Sequence, residues 1–253
     1  MAATVADGAT NLAATEEYNG SSWTNSNDVN TARYSSSSSG TQTAAMLAGG
    51  ASGDPYDAEV ETYNGSTWTE VGDINTARRN LCLSGTTTAA LCFTGQIPPG
   101  AAQAISESYD GSSWTETTDT NTARIAGAGG GTQTAALVTG GGPPFIASNE
   151  QWDGSSWTEL ADLNTARGSQ RFAGTSTEAI NIAGQVPAFT GKTEEWDGSS
   201  WSEAADISTV RALGAASTTS ATAAVFAGGN TGPKTDVTEE WTKAVAASSF
   251  TSS

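Results

Sequence analysis

The sequence predicts an all-β protein built from repeated four-stranded antiparallel sheets, and the main support for this prediction is an internal repeat. The segment EEYNGSSW, from Glu16 to Trp23, recurs along the chain with small changes. The tryptophans that close these segments show a repeat of about 45 residues and are Trp23, Trp68, Trp114, Trp157 and Trp201. A fixed period of this length is typical of repeat architectures, propellers among them.

The second observation is that each period contains signals for four short strands. An Asn-Gly or Asp-Gly pair lies between an aromatic residue and the closing tryptophan. This pattern is typical of a tight hairpin, because these residues accept a positive φ at little cost. We name the strands of this hairpin c and d. The small-residue run that follows each NTAR-like block predicts strand a, and the apolar run of the TAAMLAGG type predicts strand b, buried on both faces.

The third observation is that no stretch has an apolar period of 3.6 residues, so helices are not expected. Four strands in a period of about 45 residues predict one blade of a β-propeller.

The two ends of the chain determine the predicted number of blades. AATVADGAT near the N-terminus aligns with AAMLAGGAS, a strand b, and KAVAASSFTSS at the C-terminus aligns with RALGAASTTS, a strand a. If 244–250 supplies strand a of the N-terminal blade, residues 1–253 form one propeller domain of six blades, closed by both termini. If the tail is instead a strand d, five blades is the alternative.

The tryptophans and a set of arginines repeat in every period. The arginines end the NTAR-like blocks and are Arg33, Arg78, Arg124, Arg167 and Arg211. The tryptophans could stack on sugars or pack between blades. The arginines could clamp an anion, or form ion pairs with the Asp five residues earlier or with a strand-c Glu. Strict repetition favours the structural interpretation of both sets.

Composition restricts the function further. Acidic residues outnumber basic ones 27 to 10, which gives a net charge of −17 and argues against nucleic acid as a partner. No run of 18 apolar residues and no basic, apolar N-terminal segment is present, so neither membrane insertion nor a signal peptide is expected. Histidine is absent, and no nucleophile motif, phosphate loop or calcium loop is visible. The sequence therefore predicts a non-enzyme without metal or cofactor.

Cys82 and Cys92 lie on either side of a predicted turn near Thr87. A hairpin centred there would place them across from each other and allow a disulfide. The other interpretation is that both are small buried apolar residues.

The loop between strands b and c is the part of the repeat that varies. These loops contain all seven prolines of the chain, and their non-repeating side chains are Tyr56, Ile97, Phe145, Ile146, Val186 and Phe189. Exposed loops drift in sequence, but a repeat that varies in one loop is also explained if that loop contacts a partner. We predict these residues as a partner-binding surface.

The repeat resembles the kelch repeat in its glycine pair after strand b, its aromatic residue on strand c, its Trp on strand d and its Arg before strand a. The c–d hairpin is tighter than in most kelch repeats. SYDGSSW also resembles the Asp-box of sialidase propellers, without the residue between Asp and Gly. The kelch resemblance implies that the b–c and d–a loops share one face, the usual ligand face.

The style of repeat is similar to that of kelch-like proteins of marine bacteriophages and their hosts. That resemblance implies a structural component of the virion surface, a capsid or tail decoration, located there or extracellularly, which binds another protein such as a virion protein. The second hypothesis is a carbohydrate-binding lectin that attaches to cell-surface glycans. The third is a sialidase-like glycosidase, but the acidic residues mostly repeat and form no asymmetric catalytic pair.

Overall fold

The structure is a computed structural model and describes residues 2–3, 11–53, 55–217 and 220–243. Throughout these ranges the regular elements are strands, and no helix there is long and apolar enough to cross a lipid bilayer. The strands are β1 (Ala2–Ala3), β2 (Thr15–Tyr18), β3 (Trp23–Ser26), β4 (Ser37–Thr41), β5 (Ala44–Ala48), β6 (Val60–Tyr63), β7 (Trp68–Glu70), β8 (Cys82–Gly85), β9 (Ala90–Phe93), β10 (Gln96–Ile97), β11 (Ala101–Ala102), β12 (Ser106–Tyr109), β13 (Trp114–Thr117), β14 (Ala128–Gly131), β15 (Ala136–Thr139), β16 (Asn149–Trp152), β17 (Trp157–Leu160), β18 (Arg171–Gly174), β19 (Ala179–Val186), β20 (Ala188–Trp196), β21 (Trp201–Glu203), β22 (Ala215–Ala216), β23 (Ala223–Ala227) and β24 (Thr238–Thr242).

The strands form small antiparallel sheets arranged as a β-propeller. Four sheets have four strands each: sheet II (β4–β7), sheet III (β8, β9, β12 and β13), sheet IV (β14–β17) and sheet V (β18–β21). Sheet I (β1–β3) and sheet VI (β22–β24) have three strands each, and β10 and β11 form a separate hairpin in the b–c loop of sheet III. In every four-stranded sheet the strands follow one another in the order a, b, c and d. The predicted fold class is confirmed.

The inner strands determine the blade count. Strands β4, β8, β14, β18 and β22 contact one another in that order, so the structure has five blades counted at the axis, which was the alternative. The preferred count of six is not reached, because sheet I has no inner strand among the residues that the structure describes. The segment predicted to close the propeller as strand a of the N-terminal blade, 244–250, lies outside the described residues.

Sheets I and VI contact each other through side chains. The Tyr18 hydroxyl donates a hydrogen bond to Glu240 Oε1 at 2.9 Å, and Trp23 Nε1 donates to Thr238 Oγ1 at 3.0 Å.

The core consists of apolar layers between successive sheets. Strand β9 is buried along its whole length, as the predicted double-sided burial of strand b requires. Met46 of sheet II and Leu83 of sheet III share one cluster, and Leu137 of sheet IV and Phe172 of sheet V share another.

The two cysteines face different layers. Cys82 pairs with Phe93, whereas Cys92 pairs with Leu83. The two cysteines are therefore one residue out of register and do not lie opposite each other. A register offset of one residue places the two side chains on opposite faces of the sheet. Both cysteines are free and buried, and burial raises their pKa values to about 11 for Cys82 and about 12 for Cys92. They are apolar packing residues.

A series of backbone hydrogen bonds runs from sheet to sheet around the axis, where the inner strands begin. Its members are Ser35, Asn80, Ala126, Ser169 and Leu213, all with φ between 52° and 62°. From Asn80 onward, the amide of each member donates to the carbonyl of the member before it, which gives four hydrogen bonds of 2.7 to 3.3 Å. Non-glycine residues adopt this left-handed conformation only where the surrounding structure imposes it. We name these five residues the axial ring.

Candidate interaction face

The repeated arginines are buried beside strand c of the sheet that each d–a loop enters. Arg167 Nη1 donates to Oε1 of Glu194 at 2.7 Å. The backbone amides of Asn164 and Thr165 donate to the same carboxylate at 2.7 and 3.3 Å. We name this arrangement the Arg–Glu clamp. It recurs with the pairs Arg33–Glu61, Arg78–Glu107, Arg124–Glu150 and Arg211–Glu239.

Two of the aspartates that lie five residues before an arginine have a different role. Asp119 Oδ1 accepts a hydrogen bond from the amide of Ser106 at 3.2 Å, and Asp206 Oδ1 accepts one from the amide of Thr193 at 3.3 Å. These two aspartates therefore bind the backbone of strand c in their own sheet. The sequence allowed two ion-pair partners for the arginines, the aspartate five residues earlier or the strand-c glutamate, and in the structure the partner is the glutamate.

The repeated tryptophans are packing residues in the structure. Trp68, Trp114, Trp157 and Trp201 are 6–7% exposed, and Trp23 is half-buried. Each contacts the aromatic ring across its hairpin, as Trp201 contacts Trp196 with ring centroids 5.3 Å apart. Trp157 Nε1 also donates to Ser106 Oγ of the preceding sheet at 3.2 Å. In the four buried tryptophans, the ring faces that a sugar would need are therefore covered by protein.

The b–c loops and d–a loops are joined into one face, which we name the b–c face. The residue after a clamp arginine forms an antiparallel bridge with the b–c loop of the sheet that the chain then enters. These bridges are Tyr34↔Ala51, Arg79↔Gln96, Gly168↔Gln185 and Ala212↔Asn230. In sheet IV the amide of Gly142 donates to the carbonyl of Ile125 instead, at 2.8 Å.

The six predicted partner-binding residues lie on this face and are all half-buried: Tyr56, Ile97, Phe145, Ile146, Val186 and Phe189. Ile97 belongs to β10, and Phe145 and Ile146 follow Pro143–Pro144 in the loop of sheet IV. Val186 and Phe189 are strand residues rather than loop residues, because β19 and β20 continue past the sheet as a hairpin in which Val186 pairs with Ala188. The six residues are distributed over sheets II to V.

One cluster on the b–c face brings aromatic rings and a cation together. The guanidinium carbon of Arg79 is 4.5 Å from the ring centroid of Tyr56 and 5.6 Å from that of Tyr34. Arg79 Nη1 donates to the Tyr34 hydroxyl at 3.0 Å, and Nε donates to Gln96 Oε1 at 3.3 Å. We name Tyr34, Tyr56 and Arg79 the tyrosine–arginine cluster.

The sequence interpretation found Tyr56 but missed Tyr34 and Arg79. A signal for them was present, because the position after the clamp arginine is the one that changes completely between repeats: Tyr34, Arg79, Ile125, Gly168 and Ala212.

Neither a protein-family model nor a curated protein matches this chain. Within the described ranges, no group of three or more Cys, Asp or Glu side chains is placed to hold a metal ion.

The c–d hairpins lie at the other end of strand c and use their acidic residues locally. Asp110 Oδ1 accepts hydrogen bonds from the amides of Ser112 and Ser113, both at 2.9 Å. These bonds and the Ser112 hydroxyl stabilise the carboxylate and lower the pKa of Asp110 to about 2. Asp153 and Asp197 make the same contacts and have the same lowered pKa of about 2. These carboxylates stabilise the hairpin turns in which they lie.

Proposed function

We propose that this protein is a non-catalytic, kelch-like interaction propeller that binds another protein through its b–c face. The observation that carries the proposal is the location of sequence variation. The c–d hairpins and NTAR-like blocks copy their neighbours, whereas the b–c loops do not, and the non-repeating Tyr, Phe and Ile side chains of these loops lie on this one face together with Arg79. Aromatic and arginine side chains are the residue types that dominate protein–protein binding energy.

The tyrosine–arginine cluster supports the proposal because its side chains are held before a partner arrives. Arg79 is fixed by two rings and two side-chain hydrogen bonds. Immobilising a free arginine on binding costs about 0.5–1.5 kcal/mol, and a side chain that is already fixed avoids much of that cost. The loop beside Phe145 is restricted in the same way by Pro143–Pro144.

We further propose that the protein acts at the virion surface or outside the cell, with another virion protein as its partner. This proposal is supported by the resemblance of the SYDGSSW repeats to kelch-like proteins of marine bacteriophages. The alternative, a glycan-binding lectin, receives less support because four of the five repeated tryptophans are buried. No observation favours a sialidase-like enzyme.

The test is a double substitution on the b–c face, Phe145→Ser with Phe189→Ser. Both rings are half-buried on projecting segments, so the melting temperature should stay within a few degrees, as surface changes usually allow. Capture of the partner from the native particle, measured by quantitative pulldown, should be lost. The matched control is Thr115→Ala with Thr158→Ala, two exposed positions on the outer strands, which should capture the partner as the wild type does.

Two results would contradict the proposal. A double variant that folds and still captures the same partner would place the contact elsewhere. A double variant that unfolds would show that the two rings belong to the core.

A further inference from the structure

Arg171 differs from the clamp arginines in having no carboxylate partner in the described part of the chain. It begins β18, the inner strand of sheet V. Its Nη1 donates to the carbonyl of Gln170 at 2.8 Å, and its Nε donates to the carbonyl of Gly214 in sheet VI. No hydrogen bond from Nη2 to a described residue accompanies these two. A half-buried guanidinium therefore has only backbone carbonyls as partners.

The strand register shows that Arg171 is surrounded by small residues at the equivalent positions. Arg171 pairs with Ile182, at the end of strand β18 nearest the axial ring. The inner-strand residues at the same register are Ser37, Cys82, Ala128 and Ala215. One long cationic side chain thus occurs where the other inner strands carry short, uncharged ones.

The electrostatic surroundings of Arg171 favour an added anion. Burial lowers the pKa of Arg171, and no acidic residue appears among the groups that oppose this shift. An arginine nevertheless stays charged, so an uncompensated charge in a partly desolvated position is stabilised by any anion that reaches it. Guanidinium groups bind sulfate, phosphate and carboxylate oxygens with two parallel hydrogen bonds.

We propose that Arg171 binds a small free oxyanion, such as sulfate or phosphate, beside the axial ring at the mouth of the central axis. The net charge of −17 opposes the approach of anions to the molecule as a whole, so an anion at this site is held by the local field of Arg171. The proposal is independent of partner binding by the b–c face, since it requires only Arg171 and the inner strands.

Isothermal titration calorimetry with sodium sulfate and with sodium phosphate, at constant ionic strength set with sodium chloride, tests the proposal. The wild type should bind one ion of either kind. Arg171→Gln should bind neither. Lys192→Gln, which removes an exposed cation that is paired with Glu203 at 3.1 Å, should bind both as the wild type does.

A second variant keeps the test decisive if Arg171→Gln does not fold. Arg171→Lys retains the charge and the long stem but lacks the planar two-donor group. Its affinity for sulfate should fall about tenfold. An unchanged affinity in either Arg171 variant, or no binding by the wild type, would overturn the proposal.

Discussion

At the scale of single residues, strict repetition identified structural positions but did not identify their partners. Every Arg in an NTAR-like block is accompanied by an Asp five residues earlier and by a Glu on strand c, so both candidates repeat equally well. The structure selects Glu because the strand-c carboxylate is buried, as at Glu194, where it accepts from two backbone amides as well as from the arginine. Such a preference depends on tertiary geometry that the sequence pattern does not contain.

The Arg–Glu clamp should be a major source of stability. Glu150 and Arg124 are both buried, so Glu150→Gln leaves a buried guanidinium without its counter-charge. We expect the free energy of unfolding, measured by urea denaturation, to fall by about 3–5 kcal/mol. The matched control, Glu159→Gln at an exposed strand position, should change it by less than about 0.5 kcal/mol. Equal effects of the two substitutions would show that the clamp glutamate contributes no more to the free energy of unfolding than an exposed glutamate does.

The repeated tryptophans provide a second test at this scale, which separates packing from sugar binding. Trp68 is 7% exposed and contacts Tyr63 with ring centroids 5.1 Å apart. Trp68→Ala should therefore lower the free energy of unfolding by about 3–5 kcal/mol, as truncation of a buried aromatic residue does. A glycan array should show no binding by the wild type. A stable Trp68→Ala variant that has lost a measurable glycan affinity would support the lectin hypothesis instead.

At the scale of elements, the c–d hairpins were predictable and the b–c segments were not. The hairpin is specified locally by Asn-Gly or Asp-Gly between two aromatic residues, and it appears where the sequence placed it. The b–c segments do not repeat, so no comparison between periods reveals their structure. In sheet V this segment becomes a strand extension because Gln185 and Val186 find partners in Phe189 and Ala188. The prolines indicated restricted loops but not that pairing.

The hairpin aspartates should make stability depend on pH in the acid range. Their pKa of about 2 in the folded protein lies below the ordinary value of 3.8, so their stabilising effect is complete above pH 3.8 and is lost as the pH falls through 2. Asn19 forms the same turn without titrating, since its Oδ1 accepts from the amide of Ser21 at 2.9 Å. We therefore expect a smaller fall in melting temperature between pH 4 and pH 2 for the triple variant Asp110→Asn, Asp153→Asn and Asp197→Asn than for the wild type.

The measurement is a series of thermal unfolding curves over that pH range, with curves at pH 7 as the reference for the turn itself. Identical acid profiles for the two proteins would show that other carboxylates control the pH dependence.

At the scale of the whole molecule, the contact between sheets I and VI differs from the other contacts between neighbours. Strand β2 carries Glu16 at the position of the clamp glutamates, yet Glu16 is exposed, whereas Glu61 and Glu107 are fully buried. Among residues placed by the structure, no arginine forms a clamp with Glu16. The Tyr18–Glu240 and Trp23–Thr238 hydrogen bonds hold the two sheets together there.

Local unfolding should therefore begin at sheets I and VI. Segments with few buried contacts open at lower free energy than the core does. Hydrogen exchange followed by mass spectrometry should show faster amide exchange in β2, β3 and β24 than in the central strands β9 and β15. Exchange that is equally slow in all these strands would mean that the contact between the end sheets is as strong as the clamped contacts.

The burial of the clamp arginines also determines how copies of the molecule meet in solution. These arginines are half of the ten basic residues in the chain, and each is neutralised inside by its glutamate. Few cations remain to balance the outer carboxylates. The outer surface therefore resembles that of a polyanion, although each clamp arginine is balanced by its glutamate. Two copies repel one another over about 8 Å, the screening length at physiological ionic strength. Concentrated solutions should consequently resist self-association until added salt or multivalent cations shield the carboxylates.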